Sequence, residues 1–307
     1  MNTLKSFNTK NILTFTFASL LMPSLTTAVA PESKDVVIAI IDTGVDITHP
    51  LIKSHLWTNT KEKNRNDNDG NGYAGDLHGW NFASNNNDLS DNHGHGTHIA
   101  GIILQQAPYE RVKLMILKYY DPLASNADNL MNTVRAIRYA TKMKADIINY
   151  SGGGDVKSPL EEAAIREAKK QGILFVAAAG NEGRNTDVVG YYPAGYGLSN
   201  IISVAAMDSQ KRLLASSNYG SHSVDIVAPG KNVFSSLPEG RYGFMSGTSQ
   251  ATAWVSGLAA SILIQSGKTW APEDVKMFLE KKAVKDPQLS RKIRSQARIS
   301  TLQAMNF

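Results

Sequence analysis

The 307-residue chain contains no cysteine, so no disulfide can staple it and its stability must come from its core and any bound metal. It has no internal repeat or low-complexity tract to divide it, and 42% hydrophobic residues suffice for one large core. Charge is sparse. Charged residues make up 19%, and the formal net charge of +5 falls to +3 once Lys5 and Lys10 near the N-terminus are set aside. Much of that weak excess lies at Lys281, Lys282, Lys285, Arg291, Lys292, Arg294 and Arg298, with no interleaved aromatic residues to stack on bases. This reads as a solvated helical face, and no nucleic-acid partner is expected.

The apolar run over 12–22 is too short to cross a bilayer comfortably. It follows Lys5 and Lys10 and ends in Thr26-Thr27-Ala28-Val29-Ala30, the pattern of a secretory signal. Cleavage after Ala30 fits a small-x-small site, but Pro31 would follow the cut, so cleavage after Ala28 is the alternative. Residues 1–30 are expected to be a leader and 31–307 one domain. The protein is then exported, secreted or periplasmic, with no stable membrane span after cleavage.

What the chain does have is alternation. Val36-Val37-Ile38-Ala39-Ile40-Ile41 has the continuous apolar character of a strand buried on both faces. Strand patterns recur at 112–120, 145–150, 173–179, 200–206 and 224–228. Helical patterns occupy 128–143 and 159–171, the second opened by Ser158 and Pro159 and closed by Gly172. Strands alternating with helices predict an α/β fold, a doubly wound, mostly parallel sheet with helices on both faces. A small and apolar segment over 254–264 is long enough for a buried helix.

Chemistry-bearing residues cluster at the ends of these elements. Asp42 closes the first strand within Asp42-Thr43-Gly44-Val45-Asp46, where open α/β sheets place functional groups; an Asp capping the turn is the alternative. Further on, Asp67, Asp69 and Asn71 with Gly72 behind them begin like an EF-hand, but the twelfth position is His78, not a bidentate Glu. A structural calcium site of another geometry, completed by Asp76, stands against a plain Asn/Gly-rich loop. His93, His95 and His98 lack an HExxH pattern and do not share one helical face, which favours a turn into a helix at His95 over zinc. The imidazole of His95 would then be a general base. Ser151-Gly152-Gly153-Gly154 lacks the Gly-Lys-Ser/Thr ending of a phosphate loop. Ser249 falls at the first turn of the apolar helix, beside unsatisfied N–H groups and the positive dipole end. That place suits an oxyanion and is also an ordinary N-cap position.

A serine hydroxyl is a poor nucleophile unless a base takes its proton, and the base works best when a carboxylate holds its tautomer. Asp42, His95 and Ser249 supply those groups in the chain order of subtilisin, which differs from the orders of chymotrypsin and the α/β-hydrolases. Asp42-Thr43-Gly44-Val45-Asp46, His95-Gly96-Thr97-His98-Ile99-Ala100-Gly101 and Gly247-Thr248-Ser249-Gln250-Ala251 resemble the three signature blocks of the subtilisin-like serine peptidases, the subtilases. Ala178-Ala179-Gly180-Asn181-Glu182-Gly183, Tyr192-Pro193-Ala194, Ser217-Asn218-Tyr219-Gly220 and Ala228-Pro229-Gly230 agree with supporting blocks, so the resemblance runs from about Val36 to Met305.

The resemblance implies a subtilisin-like fold and a secreted serine endopeptidase, a monomer that cleaves protein or peptide substrates through an acyl-enzyme and needs no cofactor for its chemistry. Asp42 would orient His95, His95 would serve as base and then acid, and Ser249 would attack the scissile carbonyl. Asn181 matches the oxyanion residue. Tyr150, Ser151, Gly152 and Gly153 match the segment that pairs with the substrate backbone as an added strand. With Ala178, Ala179 and Gly180 they would also wall the primary specificity pocket. Gln250, Ala253 and Trp254 depart from the family's usual Met and later Pro-His, so altered packing behind the site is expected with activity kept. Only 31–35 separate a cut near Ala30 from the first strand, so no propeptide is evident. Either the domain folds unaided or a chaperone or inhibitor acts in trans. Those departures motivate the alternative, a catalytically weak or inactive subtilase-like protein-binding module.

Overall fold

The computed structural model describes residues 34–62 and 66–299; the expected leader over 1–30 lies outside them. β1 (Val36–Asp42), β2 (Gly79–Asn81), β3 (Val112–Lys118), β4 (Ile147–Tyr150), β5 (Leu174–Ala178), β6 (Ile201–Met207), β7 (Ile226–Pro229), β10 (Val284–Lys285) and β11 (Ala297–Arg298) form one sheet. Its order is β10-β11-β7-β6-β5-β4-β1-β3-β2, and every pairing is parallel except β10 with β11. From β1 the chain crosses to β3 on one side, then returns to β4 on the other. The direction of winding therefore reverses between β1 and β4, and such a reversal opens a crevice at the strands' C-terminal ends.

Side-chain alternation along the strands builds two cores. Val36, Ile38 and Ile40 of β1, with Leu114 and Ile116 of β3, face α1 (His95–Gln106), α4 (Thr248–Ser266) and α5 (Pro272–Lys282). Ala39, Ile41, Met115 and Leu117 face the opposite way, toward α2 (Asn126–Lys142) and α3 (Pro159–Lys170). α4 is buried along most of its length, as a helix apolar on all sides must be. The caps follow the sequence: Ser125 Oγ accepts from Asp128 N–H, Ser158 Oγ accepts from Glu161 N–H, and Pro159 opens α3. This is the expected fold, with the helix boundaries shifted by a residue or two.

Two features depart from the sequence reading. β8 (Val233–Leu237) and β9 (Arg241–Met245) form an antiparallel hairpin on α1 that no alternating pattern announces. Its inner residues include Ser235 and Ser236, whose hydroxyls donate to the His98 and Thr97 carbonyls at 2.7 and 2.8 Å. The C-terminal cations do not form one helical face. Lys281 and Lys282 end α5, while Arg294 pairs with Asp225 and Glu280 and Arg298 pairs with Asp286. Among the described residues no helix is long and apolar enough to cross a membrane.

Candidate active site

Asp42, the last residue of β1, is 3% exposed, and its Oδ1 lies 2.7 Å from Nδ1 of His95, the first residue of α1. A carboxylate only accepts, so Nδ1 carries the ring proton and Nε2 is left basic. Burial alone would lower the His95 pKa. The Asp42 charge and hydrogen bond, with Asp91 behind them, outweigh it and hold the pKa above the ordinary 6.5.

Asp91 and Gly96 bring that pair together. The buried Asp91 carboxylate accepts from Thr43 Oγ1 at 2.9 Å and from the N–H groups of Gly94 and Thr97, both at 2.8 Å. It thereby ties the end of β1 to the start of α1. A Cβ on Gly96 would stand 2.0 Å from the Gly44 carbonyl oxygen, so only glycine lets the helix begin this close.

Ser249 is the second residue of α4 and is 8% exposed. Its hydroxyl donates to the Ser151 carbonyl at 3.1 Å, and among the described residues no hydrogen bond joins it to His95. Tyr150 is in register with Ile41, so Ser151 follows β4 at the level of Asp42. The switch point thus collects all three candidate groups. Asn181, exposed in the loop after β5, accepts through Oδ1 from Thr248 N–H at 2.9 Å. A backbone N–H can only donate, which fixes the carboxamide oxygen toward the helix and leaves Nδ2 as a donor. With Thr248 capped in this way, the neighbouring Ser249 N–H has no intrahelical partner and is a second donor.

A buried polar relay lies beneath. Ser256 Oγ donates to Asn149 Oδ1 at 2.8 Å, Asn149 Nδ2 to Ser151 Oγ at 3.2 Å, and Ser151 Oγ to the Ser249 carbonyl at 3.3 Å. Sequence reasoning missed it, although Asn149 in an otherwise apolar strand was the available signal.

The Subtilase family model matches residues 33–295. The chain belongs to the subtilase family. It is 37% identical over 238 residues to the Thermophilic serine proteinase of Bacillus sp. (strain AK1), covering 74% of this chain but only 52% of that relative, so it spans about half its length. Against the Major intracellular serine protease of Bacillus subtilis (strain 168) the identity is 34%, over 75% of this chain and 69% of the relative. Thermitase of Thermoactinomyces vulgaris is 32% identical over 77% of this chain and 80% of its own length. The crystal structure of a cold adapted subtilisin-like serine proteinase matches with a TM-score of 0.69 at 25% identity, covering 85% of this chain and 89% of that one.

In this subtilase the segments expected to wall the specificity pocket differ in exposure. Tyr150, Ala178, Ala179 and Gly180 are buried, whereas Ser151 and Gly152 are half-buried and Gly153 is exposed. Asn218 shapes the loop that carries Asn181, donating to the Ala179 carbonyl at 2.9 Å and accepting from Glu182 and Arg184 N–H, both at 3.1 Å. Gln250 and Ala253 are buried, and Trp254 packs on the core of α1 and α4.

The acidic loop assembles differently from its sequence expectation. Oxygens of Asp67, Asp69 and Glu62 lie within 4.8 Å of one another. Asp76 is fully buried behind them and shares donors with Asp69, accepting from Asn59 Nδ2 at 2.9 Å, Asn71 Nδ2 at 2.7 Å and Tyr139 Oη at 2.5 Å. Burial raises its pKa and those donors oppose the rise. Asn71 donates through Nδ2 to Asp69 and Asp76, while its Oδ1 accepts from Tyr73 N–H at 2.8 Å. The three histidines form no metal-binding group among the described residues: His98 is buried, with Nε2 on the Val233 carbonyl.

Proposed function

We propose that this subtilase is an exported serine endopeptidase that hydrolyses peptide bonds through an acyl-enzyme. The observation that carries the reading is the 2.7 Å contact of Asp42 with His95 at the strand ends where Ser249 also sits. Asp42 holds the His95 tautomer, and Nε2 takes the Ser249 proton as the hydroxyl leaves the Ser151 carbonyl and attacks. The Asn181 amide and the Ser249 N–H then meet the developing oxyanion. His95 returns the proton to the leaving amine, and water releases the acyl group by the same steps in reverse roles. A substrate strand laid along Ser151, Gly152 and Gly153 presents its carbonyl to Ser249, with Ala178, Ala179 and Gly180 opposite.

The test is labelling by a fluorophosphonate probe together with casein hydrolysis, comparing wild type with Ser249→Ala. Wild type should label and cleave and the variant should do neither; equal signals would sink the reading. The bond from Ser249 to Ser151 favours one second reading, a subtilase-like module retained for binding. A partner that binds Ser249→Ala, with no turnover by wild type, would decide for it.

Calcium belongs to the proposal as a structural ion and has no part in the chemistry. Glu62, Asp67 and Asp69 supply hard oxygen ligands of the right kind, while Asn71 and Asp76 support the loop behind them.

A further inference from the structure

A cavity of about 470 Å³ opens beside the 151–154 segment. Tyr119, Tyr120, Tyr150 and Tyr192 line it, and the exposed Asp155 and Val156 stand at its rim. Glu161, from the first turn of α3, lines it from within and is 3% exposed. Among the described residues its carboxylate has one hydrogen bond, from Tyr196 Oη to Oε2 at 2.8 Å, and no ion pair. Lys157 is spent elsewhere, 3.2 Å from Glu162 and over the Tyr196 ring at 5.8 Å. Among the described lining residues there is no lysine or arginine.

Other buried carboxylates without a cation are met by several donors: Asp91 accepts from Thr43, Gly94 and Thr97, and Asp76 from Asn59, Asn71 and Tyr139. Asp225, similarly buried at 4% exposure, is met by the Lys276 ammonium at 2.7 Å and by the Arg294 guanidinium. Glu161 has only a phenol. Burial pushes its carboxyl up to about 7 while the Tyr196 hydroxyl pulls it back, so in alkaline solution a charge remains in the wall. An apolar occupant would strip the last water from that charge, whereas a cation would neutralise it and meet the tyrosine faces. Gly152 lets the 151–154 backbone pack against two of these rings, because a Cβ there would lie 2.5 Å from Tyr119 Oη and 3.0 Å from Tyr150 Oη.

We propose that this cavity is a specificity pocket for a lysine or arginine side chain of the substrate, with Glu161 as its counter-charge. The inference rests on the endopeptidase reading and names a preference within it. Positional peptide libraries, run in alkaline buffer with wild type and Glu161→Gln, test it. One substrate position should favour lysine or arginine over norleucine. The kcat/KM ratio of lysine to norleucine peptide at that position should fall about 10- to 100-fold in the variant, the size expected when a desolvated charge pair loses one partner. A wild-type library with no basic preference at any position overturns the proposal without need of a variant, as does an unchanged ratio in a folded Glu161→Gln.

Calorimetry of the same peptides on Ser249→Ala separates the pocket from the chemistry. Tighter binding of the lysine peptide, lost in Ser249→Ala/Glu161→Gln, supports the pocket, and equal affinities overturn it. A wild type that cleaves nothing counts against the endopeptidase reading alone, and the binding result then decides the pocket.

Discussion

The two halves of the cleft are held in different ways. Asp42 and His95 are locked, through a contact closed by Asp91, Thr43 and the missing side chain of Gly96. Their partners are buried, where a polar group left unmatched costs about 1–3 kcal/mol, so there is little freedom to rearrange. Across the cleft the backbone is equally fixed, by Asn181 on Thr248 and by the relay from Ser256 to Ser151, yet the Ser249 hydroxyl rests on a main-chain carbonyl. It must turn to react. Preorganisation is therefore concentrated in the groups that carry charge, and the one group that forms a bond keeps a choice of partner.

The strongest way to break that contrast is Ser249→Ala. Casein turnover should fall on the order of a millionfold, the size recorded for a subtilisin, while the Asp42–His95 pair stays intact. Asp42→Asn strikes the locked half, and kcat should drop about 10⁴-fold as the tautomer is lost. The pH profile separates the halves further. His95 must be neutral to act as base, so kcat/KM falls as pH drops through its pKa. That pKa is held above 6.5, which places the acid limb above 6.5 in wild type. Asp42→Asn removes the carboxylate that raises it and should move the limb to lower pH; a limb that stays in place contradicts the assigned contact. Asn181→Ala should cost about 100- to 1000-fold in kcat, as for the same donor in a subtilisin, with the acid limb unmoved. The smallest effect lies outside the cleft. If calcium is held at a hundredfold excess over its Kd, excess chelator should remove about 2.7 kcal/mol and lower Tm by roughly 5 to 10 °C. An unchanged melting curve removes the ion from the account.

The parts legible in the sequence are those where a chemical residue interrupts a strong pattern. Asp42 ends an apolar strand, Ser249 begins an apolar helix, and His95 follows a glycine at a turn; the structure puts all three near the C-terminal ends of the central strands β1 and β4. What stayed hidden depends on partners far away in the chain. The β8–β9 hairpin buries serines because α1 offers them carbonyls, so period-two apolarity never develops. α5 buries Lys276 against Asp225, which breaks the stripe that would have marked its inner face. Glu161 reads as an ordinary first-turn acid of α3, and only the structure separates it, buried beside a cavity, from the half-buried Glu162 that pairs with Lys157 and Arg166. Likewise Asp76 carries the composition of a metal ligand, yet Tyr139 and two asparagines already satisfy it.

The central claim is that Ser249 is the nucleophile activated by His95. Intact-mass and peptide-mapping measurements on fluorophosphonate-treated protein test it most directly. The account predicts one adduct, on the peptide that contains Ser249, abolished by His95→Ala although the serine remains. An adduct on any other residue, or labelling that survives both Ser249→Ala and His95→Ala, would contradict it.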